Sequence, residues 1–475
     1  GDGDGDETGT GGSEGTGTSA ETGAVEVDSS SSGAVADGTS SESTGGPALP
    51  FDPAAVPESE TLFPRAVFAG AMTGESMIVA GHTSEPGPLR LIVWQGDELE
   101  VTVPFDQTND SDDNGFIKVT VDGLTPGQWY RYAFFVGPEE QPTARSVLGN
   151  VKAALAPDAR EPVTIAMASC VGNGGIVPDF VDPDNIVPKQ YKAFNVLEDH
   201  EFDILVHLGD QGYMDRVFEA EGTYEDYLAA WGAYHSGSYR SLTRKAGFIH
   251  TWDDHEVTDN AVVFPWTEDP AERALIDGAV RAYFTVMPID ATEPGDRLWT
   301  SYRWGETVEF IVLDCRHERT PPPDGQYIGR EQMAFLQERL ANSPCHFKAI
   351  VNSVPFATMS AMVDAEDRWE GYPAAREEVN AFIAEQGIDH VVWLTGDLHL
   401  CYVGRTEEGG AGMWEIAVTS GNISPFIDTL PPSQFDWTTD APHAPLVTFD
   451  PDADTVEVTF YTIEGEMAYQ QTLTF

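Results

Sequence analysis

The sequence predicts an α/β core preceded by a small all-β sandwich. Three observations predict it. After residue 157, short apolar runs alternate with segments of helical period. Between residues 62 and 151, six β-rich runs are divided by turn clusters, with no helical pattern among them. Residues 1–47 hold almost nothing to bury. At 475 residues the chain has room for two or three domains. The expected division is 1–60, a disordered acidic tail rich in Gly, Ser and Thr; 61–157, an N-terminal β-sandwich; and 158–475, a catalytic domain.

The tail comes first. Residues 1–60 carry 13 Asp and Glu and no Lys or Arg, and 1–47 are mostly Gly, Ser, Thr, Asp and Glu. Such a segment cannot offset its ordering entropy. Flexible acidic tails of this kind are common after an export or lipid-attachment point. The chain starts at Gly1 without Met and reads as already processed. The expectation is an extracellular, periplasmic or cell-surface protein, with a lipid-modified cysteine before Gly1 as the candidate membrane attachment. The alternative is an arbitrary boundary inside a linker. The acid excess continues beyond the tail, and the whole chain carries a net charge of −54. Duplex nucleic acid is therefore excluded as a partner, because affinity for it comes from Lys and Arg on phosphates. No stretch reaches the roughly 18–20 apolar residues of a membrane span. Four cysteines are too few for a disulfide scaffold, although Cys315, Cys345 and Cys401 leave room for one bridge.

The β-rich runs are 66–71, 76–80, 89–94, 98–103, 116–121 and 129–136. Turn clusters such as Glu85-Pro86-Gly87-Pro88 and Thr125-Pro126-Gly127 separate them. The stretch from Leu124 to Phe135 resembles the last hairpin of a fibronectin-type module. Asp110-Ser111-Asp112-Asp113-Asn114-Gly115 begins like an EF-hand loop, but its twelfth position is Val121 and β-structure surrounds it, so it reads as a polar turn.

In the α/β part, buried strands are expected at 163–168, 202–208, 248–252, 308–313, 349–354 and 388–394. Helices are expected at 190–199, 329–341 and 374–385, where apolar residues fall on one face: Tyr191, Phe194 and Leu197 in the first, Met333, Leu336 and Leu340 in the second, Val379, Phe382 and Ile383 in the third. The stretch 446–475 reads as two or three strands around a turn at 450–454.

The loop after each buried strand is the informative feature. The first strand runs into Ser169-Cys170, the second into Gly209-Asp210-Gln211-Gly212-Tyr213, and the third into Asp253-Asp254-His255-Glu256. The next three run into Asp314-Cys315-Arg316, Asn352-Ser353 and Gly396-Asp397-Leu398-His399. Ligands of open α/β sheets bind outside the carboxyl ends of the strands. Here those ends carry Cys, Asp, Tyr, His and Asn, an inventory of metal ligands. One such loop is an ordinary polar turn, and a lone Cys170 is an ordinary core residue. Five or six in one chain are hard to explain as turns. An Asp in the Gly-Asp loop can bridge two cations, and a deprotonated Tyr213 suits Fe(III). Asp397 and His399 stand two apart, so on extended backbone they point to one side.

These blocks, in this order, resemble those of the PhoD-like metallophosphatases, the alkaline phosphatase D family. The resemblance rests on Ala168-Ser169-Cys170, Leu208-Gly209-Asp210-Gln211-Gly212-Tyr213, Thr251-Trp252-Asp253-Asp254-His255-Glu256 and Thr395-Gly396-Asp397-Leu398-His399. It extends to Leu313-Asp314-Cys315-Arg316, Ile328-Gly329-Arg330-Glu331-Gln332 and Trp369-Glu370-Gly371-Tyr372-Pro373-Ala374-Ala375-Arg376, and covers residues 62–475. It implies a metallophosphoesterase-like sandwich of β-sheets flanked by helices, preceded by an immunoglobulin- or fibronectin-like domain. It also implies a cluster of one Fe(III) with Ca²⁺ ions, for which the matching ligands are Cys170, Asp210, Tyr213, Asn260, Asp397 and His399. Asp254-His255 resembles the Asn-His step of the wider calcineurin-like phosphoesterases, placing Asp254 near a second metal and His255 on the phosphate. The chain has Asp259-Asn260 where the family usually has Asn-Asn, and Gln211-Gly212 where bulkier residues are usual.

The activity so implied is an exported, metal-dependent phosphoester hydrolase, an alkaline phosphatase or phosphodiesterase. A trivalent ion lowers the pKa of a bound water, and the resulting hydroxide attacks phosphorus in line. Calcium takes oxygen ligands and can hold a phosphate oxygen. His255 is the candidate to protonate the leaving alkoxide. Arg316 and Arg376 are candidates for bidentate phosphate contacts, against the alternative of ordinary salt bridges. Two rivals stand beside this reading: a diesterase of phospholipase D or teichoic-acid-degrading type, and a non-catalytic surface module on the same fold. The oligomeric state is not legible.

Overall fold

The computed structural model describes residues 49–95, 102–112, 114–172, 190–215, 222–258, 265–290, 297–322, 325–359, 367–424 and 433–475. The chain divides into Gly1–Thr44, which lies outside the described residues, and a second unit, Gly45–Phe475, which holds every element below. Structure begins earlier than the expected tail boundary at 60. Phe51 packs edge-on against Phe135 with ring centroids 5.5 Å apart, and Glu58 receives a 3.1 Å hydrogen bond from Arg145. The reason is local: Phe51 and Val56 give this stretch something to bury, which residues 1–47 lack.

The first eight strands are β1 (Phe68–Gly70), β2 (Ser76–His82), β3 (Pro88–Trp94), β4 (Thr102–Asp110), β5 (Phe116–Asp122), β6 (Trp129–Val136), β7 (Ala144–Arg145) and β8 (Gly149–Lys152). The EF-hand-like run lies at the β4–β5 turn, where Asp112 Oδ1 accepts the backbone N–H groups of Asn114 and Phe116. This Asx geometry is that of a polar turn. Strands β4, β3, β6 and β7 form a five-stranded sheet with β8 on β6. The other three strands do not complete an independent sandwich. They continue a nine-stranded sheet that the rest of the chain builds.

That sheet also takes β9 (Val163–Ala168), β10 (Ile204–Leu208), β11 (Gly247–Thr251), β19 (His443–Asp450), β20 (Thr455–Thr462) and β21 (Met467–Leu473). Its order is β21-β20-β19-β9-β10-β11-β1-β2-β5. Strands β9, β10 and β11 are parallel, and β1 runs parallel to β11 with Gly70 opposite Phe248. A separate domain ending at 157 was expected; instead one sheet crosses that boundary. The physical reason is that all of Phe68, Ala69 and Gly70 are buried, so β1 serves as an interior strand. Sequence period alone cannot tell which neighbour covers such a strand.

A seven-stranded sheet is made of β12 (Thr300–Trp304), β13 (Val308–Val312), β14 (Phe347–Val351), β15 (Val391–Thr395), β16 (Cys401–Glu407), β17 (Ala411–Ala417) and β18 (Phe435–Thr439). Its order is β12-β13-β14-β15-β17-β16-β18, with β13, β14, β15 and β17 parallel.

The two large sheets face each other, and alternation along each strand assigns the layers. Ile165, Met167, Val206, Phe310, Ala349, Val392 and Leu394 share one core cluster between the sheets. The residues between them turn outward. Ala166, Ala168 and Leu205 pack under α1 (Lys192–Glu198), α2 (Tyr224–Tyr234), α3 (Ser238–Leu242) and α4 (Pro270–Val286) through Phe194, Trp231, Tyr239 and Tyr283. Ile311, Ile350 and Trp393 pack under α5 (Arg330–Asn342) and α6 (Pro373–Gln386) through Leu336, Leu340, Val379 and Ile383. Both faces of the parallel strands are covered, which is why they read as continuous apolar runs. Among the described residues, no helix is long and apolar enough to cross a membrane. All four cysteines are buried free thiols, so the bridge left open by the sequence is not formed.

Candidate metal centre

Parallel strands deliver their carboxyl ends to the same edge of a sheet. Here two sheets do so side by side. The loop after β9 supplies Cys170, that after β10 supplies Asp210 and Tyr213, and that after β11 supplies Asp253, Asp254 and His255. From the opposing sheet, the loop after β13 supplies Arg316 and that after β15 supplies Asp397 and His399. Ligand atoms of Cys170, Asp210 and His399 lie within 4.8 Å of one another. So do those of Asp210, Asp254 and His255, and those of Asp253, Asp254 and Asp397. Tyr213 Oη donates to Asp210 Oδ2 at 3.1 Å and lies 3.3 Å from His399 Nε2. Asn260 lies outside the described residues.

Two glycines permit this approach. A Cβ on Gly209 would lie 2.6 Å from that of Asp253, so the loops after β10 and β11 touch only because it has none. A Cβ on Gly396 would fall 2.1 Å from Ser169 Oγ, so the same holds across the two sheets. Cys170, Asp210, Asp397 and His399 all have positive φ, between 49° and 67°. Non-glycine residues adopt this left-handed region at a cost and persist there when their surroundings force it.

A buried carboxylate holds the loops together. Glu256 accepts the backbone N–H groups of Asp210 at 3.2 Å, Gln211 at 2.6 Å and Asp253 at 2.8 Å. It therefore positions two of the cluster's acids through their main chains. Across the site, Asp314 shapes the loop carrying Arg316 by accepting the N–H groups of Arg316 and His317, while Gln332 at the start of α5 accepts the N–H of Asp314 at 2.8 Å.

Burial and charge set the electrostatics. Burial, reinforced by Asp210, pushes the Cys170 thiol well above its usual range. Burial and Asp210 do the same to the Tyr213 phenol. Burial raises Asp210 against the pull of His255, with Asp254 and Asp253 adding to the rise. Burial and Asp253 raise Asp397 against the pull of Arg316. Burial alone would lower His255, but Asp254, Asp210 and Asp215 hold it well above the imidazole range. So many buried acids require compensating cations or protons. Asp210 Oδ1 and Asp253 Oδ2 are buried without a hydrogen-bond partner among the described residues. Orphaned carboxylate oxygens inside a shell of thiol, phenol and imidazole fit a metal cluster, which deprotonates its ligands on binding.

The two arginines differ from expectation. Arg316 is in the cluster, but its guanidinium is spread over Asp253, Asp254, Asp367 and Asp397, with the Asp397 contact at 2.7 Å. It is placed as the counter-ion of the acids, not as an open phosphate clamp. Arg376 is not brought to the cluster. It donates to Phe356 O and Thr406 O at 3.0 Å and to Glu407 at 2.7 Å, fastening α6 to β16. Its position one turn into α6, on the side facing β16, dictates this.

Three neighbours escaped sequence reasoning. Asn422 donates to Tyr213 Oη at 2.6 Å and lies 3.3 Å from His399 Nε2. It follows β17, the fourth parallel strand of its sheet; the run 413–418 ending in Thr419-Ser420-Gly421-Asn422 carried the same strand-then-polar-loop signal as the others. Asp215 places both carboxylate oxygens 3.0 Å from His255 Nδ1. Asp367 has no local pattern that marks it. A cavity of about 1050 Å³ opens elsewhere, lined by Met72, Pro126 and Trp299 among others. A smaller one lies beside Asp253, Asp254, Arg316 and His317. We assign the chemistry to the donor cluster, because volume without converging polar groups does not make an active site.

Comparison with known proteins agrees with this fold. A solved structure of PhoD superposes with a TM-score of 0.72 at 22% identity, covering 88% of this chain and 90% of that one. A purple acid phosphatase, PPD1 from yellow lupin seeds, superposes with a TM-score of 0.60 at 13% identity, covering 87% of this chain and 75% of that one. At these identities the likeness is one of fold. Alkaline phosphatase D of Bacillus subtilis (strain 168) is 27% identical over 381 residues, which are 71% of this chain and 61% of the relative, less than two thirds of its length. The PhoD-like phosphatase model matches residues 166–461, a span that begins in β9 and ends in β20 and takes in every residue of the cluster. The match spans more than half of the chain, and the chain belongs to the PhoD-like phosphatase family.

Proposed function

We propose that the protein hydrolyses phosphoesters at a metal cluster held by Cys170, Asp210, Tyr213, Asp397 and His399, with Asp254 and the adjoining Asp253 holding a further cation. The observation that carries this reading is the meeting of Cys170, Asp210 and His399 from two different sheets within 4.8 Å. Thiolate, phenolate and carboxylate on one side suit Fe(III), and the carboxylate-rich side suits Ca²⁺. Such cations supply Lewis acidity, lowering the pKa of bound water and neutralising a phosphoryl group.

The chain's own residues do the rest. Asp215 fixes the His255 ring through Nδ1, so Nε2 is the atom available for proton transfer. The His255 ring also lies 4.0 Å from that of Tyr213, which limits its rotation. We assign His255 to deliver a proton to the leaving alkoxide. Asn422 orients Tyr213 and His399 by hydrogen bonding to both. Glu256 keeps Asp210 and Asp253 in register. Arg316 balances Asp253, Asp254, Asp367 and Asp397.

The test is turnover of a monoester and a diester, p-nitrophenyl phosphate and bis-p-nitrophenyl phosphate, by protein of measured iron and calcium content. The expected result is hydrolysis that chelation removes, together with visible absorption from charge transfer to iron. No turnover of either ester by iron- and calcium-replete protein overturns the reading and favours a non-catalytic module. The ratio of the two rates separates monoesterase from diesterase.

A further inference from the structure

We propose that His346, His390 and Asp454 form a second metal site, for a divalent cation of the zinc type, at the amino ends of β14 and β15. The ligand atoms of these three residues lie within 4.8 Å of one another. His346 Nε2 and His390 Nε2 are each 2.7 Å from the same oxygen, Asp454 Oδ1. The imidazole rings lie with centroids 4.3 Å apart. A tetrahedral centre with bonds of about 2.0–2.1 Å separates its ligand atoms by about 3.3 Å, so the three donors need only a small expansion.

The hydrogen-bond inventory has room for one positive charge, a ring proton or a metal ion. His390 Nδ1 lies 3.1 Å from Asp389 Oδ1 while its Nε2 faces Asp454. A neutral imidazole has one N–H, so one of its nitrogens meets a carboxylate oxygen with a lone pair. A metal ion resolves this: Asp389 accepts the Nδ1 proton and fixes the tautomer, and Nε2 is free to coordinate. That is the carboxylate–histidine–metal arrangement of built metal sites. Two imidazoles and one carboxylate with open positions match the preferences of Zn²⁺ and its neighbours rather than those of Ca²⁺.

The backbone gives an independent sign. Seven non-glycine residues have positive φ among the described residues, and His390 and Asp454 are two of them, at 56° and 59°. Four of the others belong to the cluster at the opposite ends of the strands. Left-handed residues concentrate at ligand clamps. The face of His390 is also covered by the ring of Phe475, stacked at 4.9 Å. His346 and His390 precede strands of the seven-stranded sheet, and Asp454 sits in the β19–β20 turn of the nine-stranded sheet. A metal here clamps the two sheets together at the edge remote from the catalytic loops.

The test uses the full chain, stripped with chelator and titrated with ZnCl2, with bound zinc counted by elemental analysis and unfolding followed by scanning calorimetry. Four variants accompany it: His346→Gln/His390→Gln, Asp454→Asn, Asp389→Asn and, as a control, Arg376→Ala. Asn tolerates left-handed backbone, so the second keeps the turn. The wild type and Arg376→Ala, which lies in neither cluster, are expected to gain the same zinc-dependent rise in Tm. The double histidine variant and Asp454→Asn are expected to show a smaller rise and to bind one zinc fewer per chain. Asp389→Asn is expected to weaken the site about 10–100-fold. Equal zinc content and an equal Tm rise in the double histidine variant overturn the proposal. So does a wild-type Tm that responds to pH but not to zinc, which makes the cluster an ion pair.

Discussion

Strand β15 carries donor clusters beyond both of its ends, and the two are built differently. Beyond its carboxyl end, half-buried Asp397, His399 and Asp254 join buried Cys170, Asp210 and Tyr213 in a site with sulfur, oxygen and nitrogen donors. Before its amino end, His390 joins His346 and an exposed Asp454. That cluster concentrates negative charge against Arg316, and its loops are tied by backbone bonds to Glu256. The other places two imidazoles on one carboxylate at the surface, where water can relieve any mismatch. The difference teaches where function is demanded. An acid-rich buried site has no low-energy state without cations or protons, whereas an exposed one folds without metal and gains stability from it by mass action.

The sharpest test of the contrast is Asp210→Asn. Removing a carboxylate shared by two of the donor groups is expected to lower kcat/KM by about 10³-fold or more, with the circular dichroism spectrum unchanged. Near-normal turnover would remove Asp210 from the centre. Gly396→Ala drives a methyl group into Ser169. It is expected to cost about 1–3 kcal/mol in urea unfolding and to lower turnover by about 10–100-fold, because the loops of the two sheets are forced apart. An alanine variant equal to the parent in both would show that the inter-sheet approach is not required. Asn422→Ala is expected to weaken metal retention about 10–100-fold, measured by competition with a chelator. Unchanged retention would make Asn422 a bystander. Arg376→Ala is the smallest change. It is expected to leave kcat/KM within about threefold while lowering stability by about 1–2 kcal/mol, as its hydrogen bonds to Phe356, Thr406 and Glu407 are lost. A large rise in KM for the phosphoester would return Arg376 to the site.

Much of the α/β part was legible because its signals are local. Strand 163–168 is found in the structure with those bounds, and 330–342 and 373–386 are helical within two residues of the expected spans. The polar loop after each buried run supplied Cys170, Asp210, Tyr213, Asp254, His255, Arg316, Asp397 and His399. Where the same signal was weaker, it was missed. The run before Asn422 lies among exposed glycines, and α4 begins after an acidic loop that hides its capping residue, Asp269. Glu256 read as one of three acids in a turn; only its three backbone donors reveal it as the element that ties two loops.

The sequence by itself determined the alternation of strands and helices, the two buried faces of the parallel strands and the chemical identity of the loops after them. Those follow from side-chain period and from which residue types stand next to a strand end. Tertiary structure alone decided that β1, β2 and β5 extend the nine-stranded sheet, that Arg316 spends its donors on carboxylates while Arg376 fastens a helix, and that His346, His390 and Asp454 meet. Each of these depends on which distant strands pair and on which loops then face one another. Neither is written in the spacing of residues along the chain.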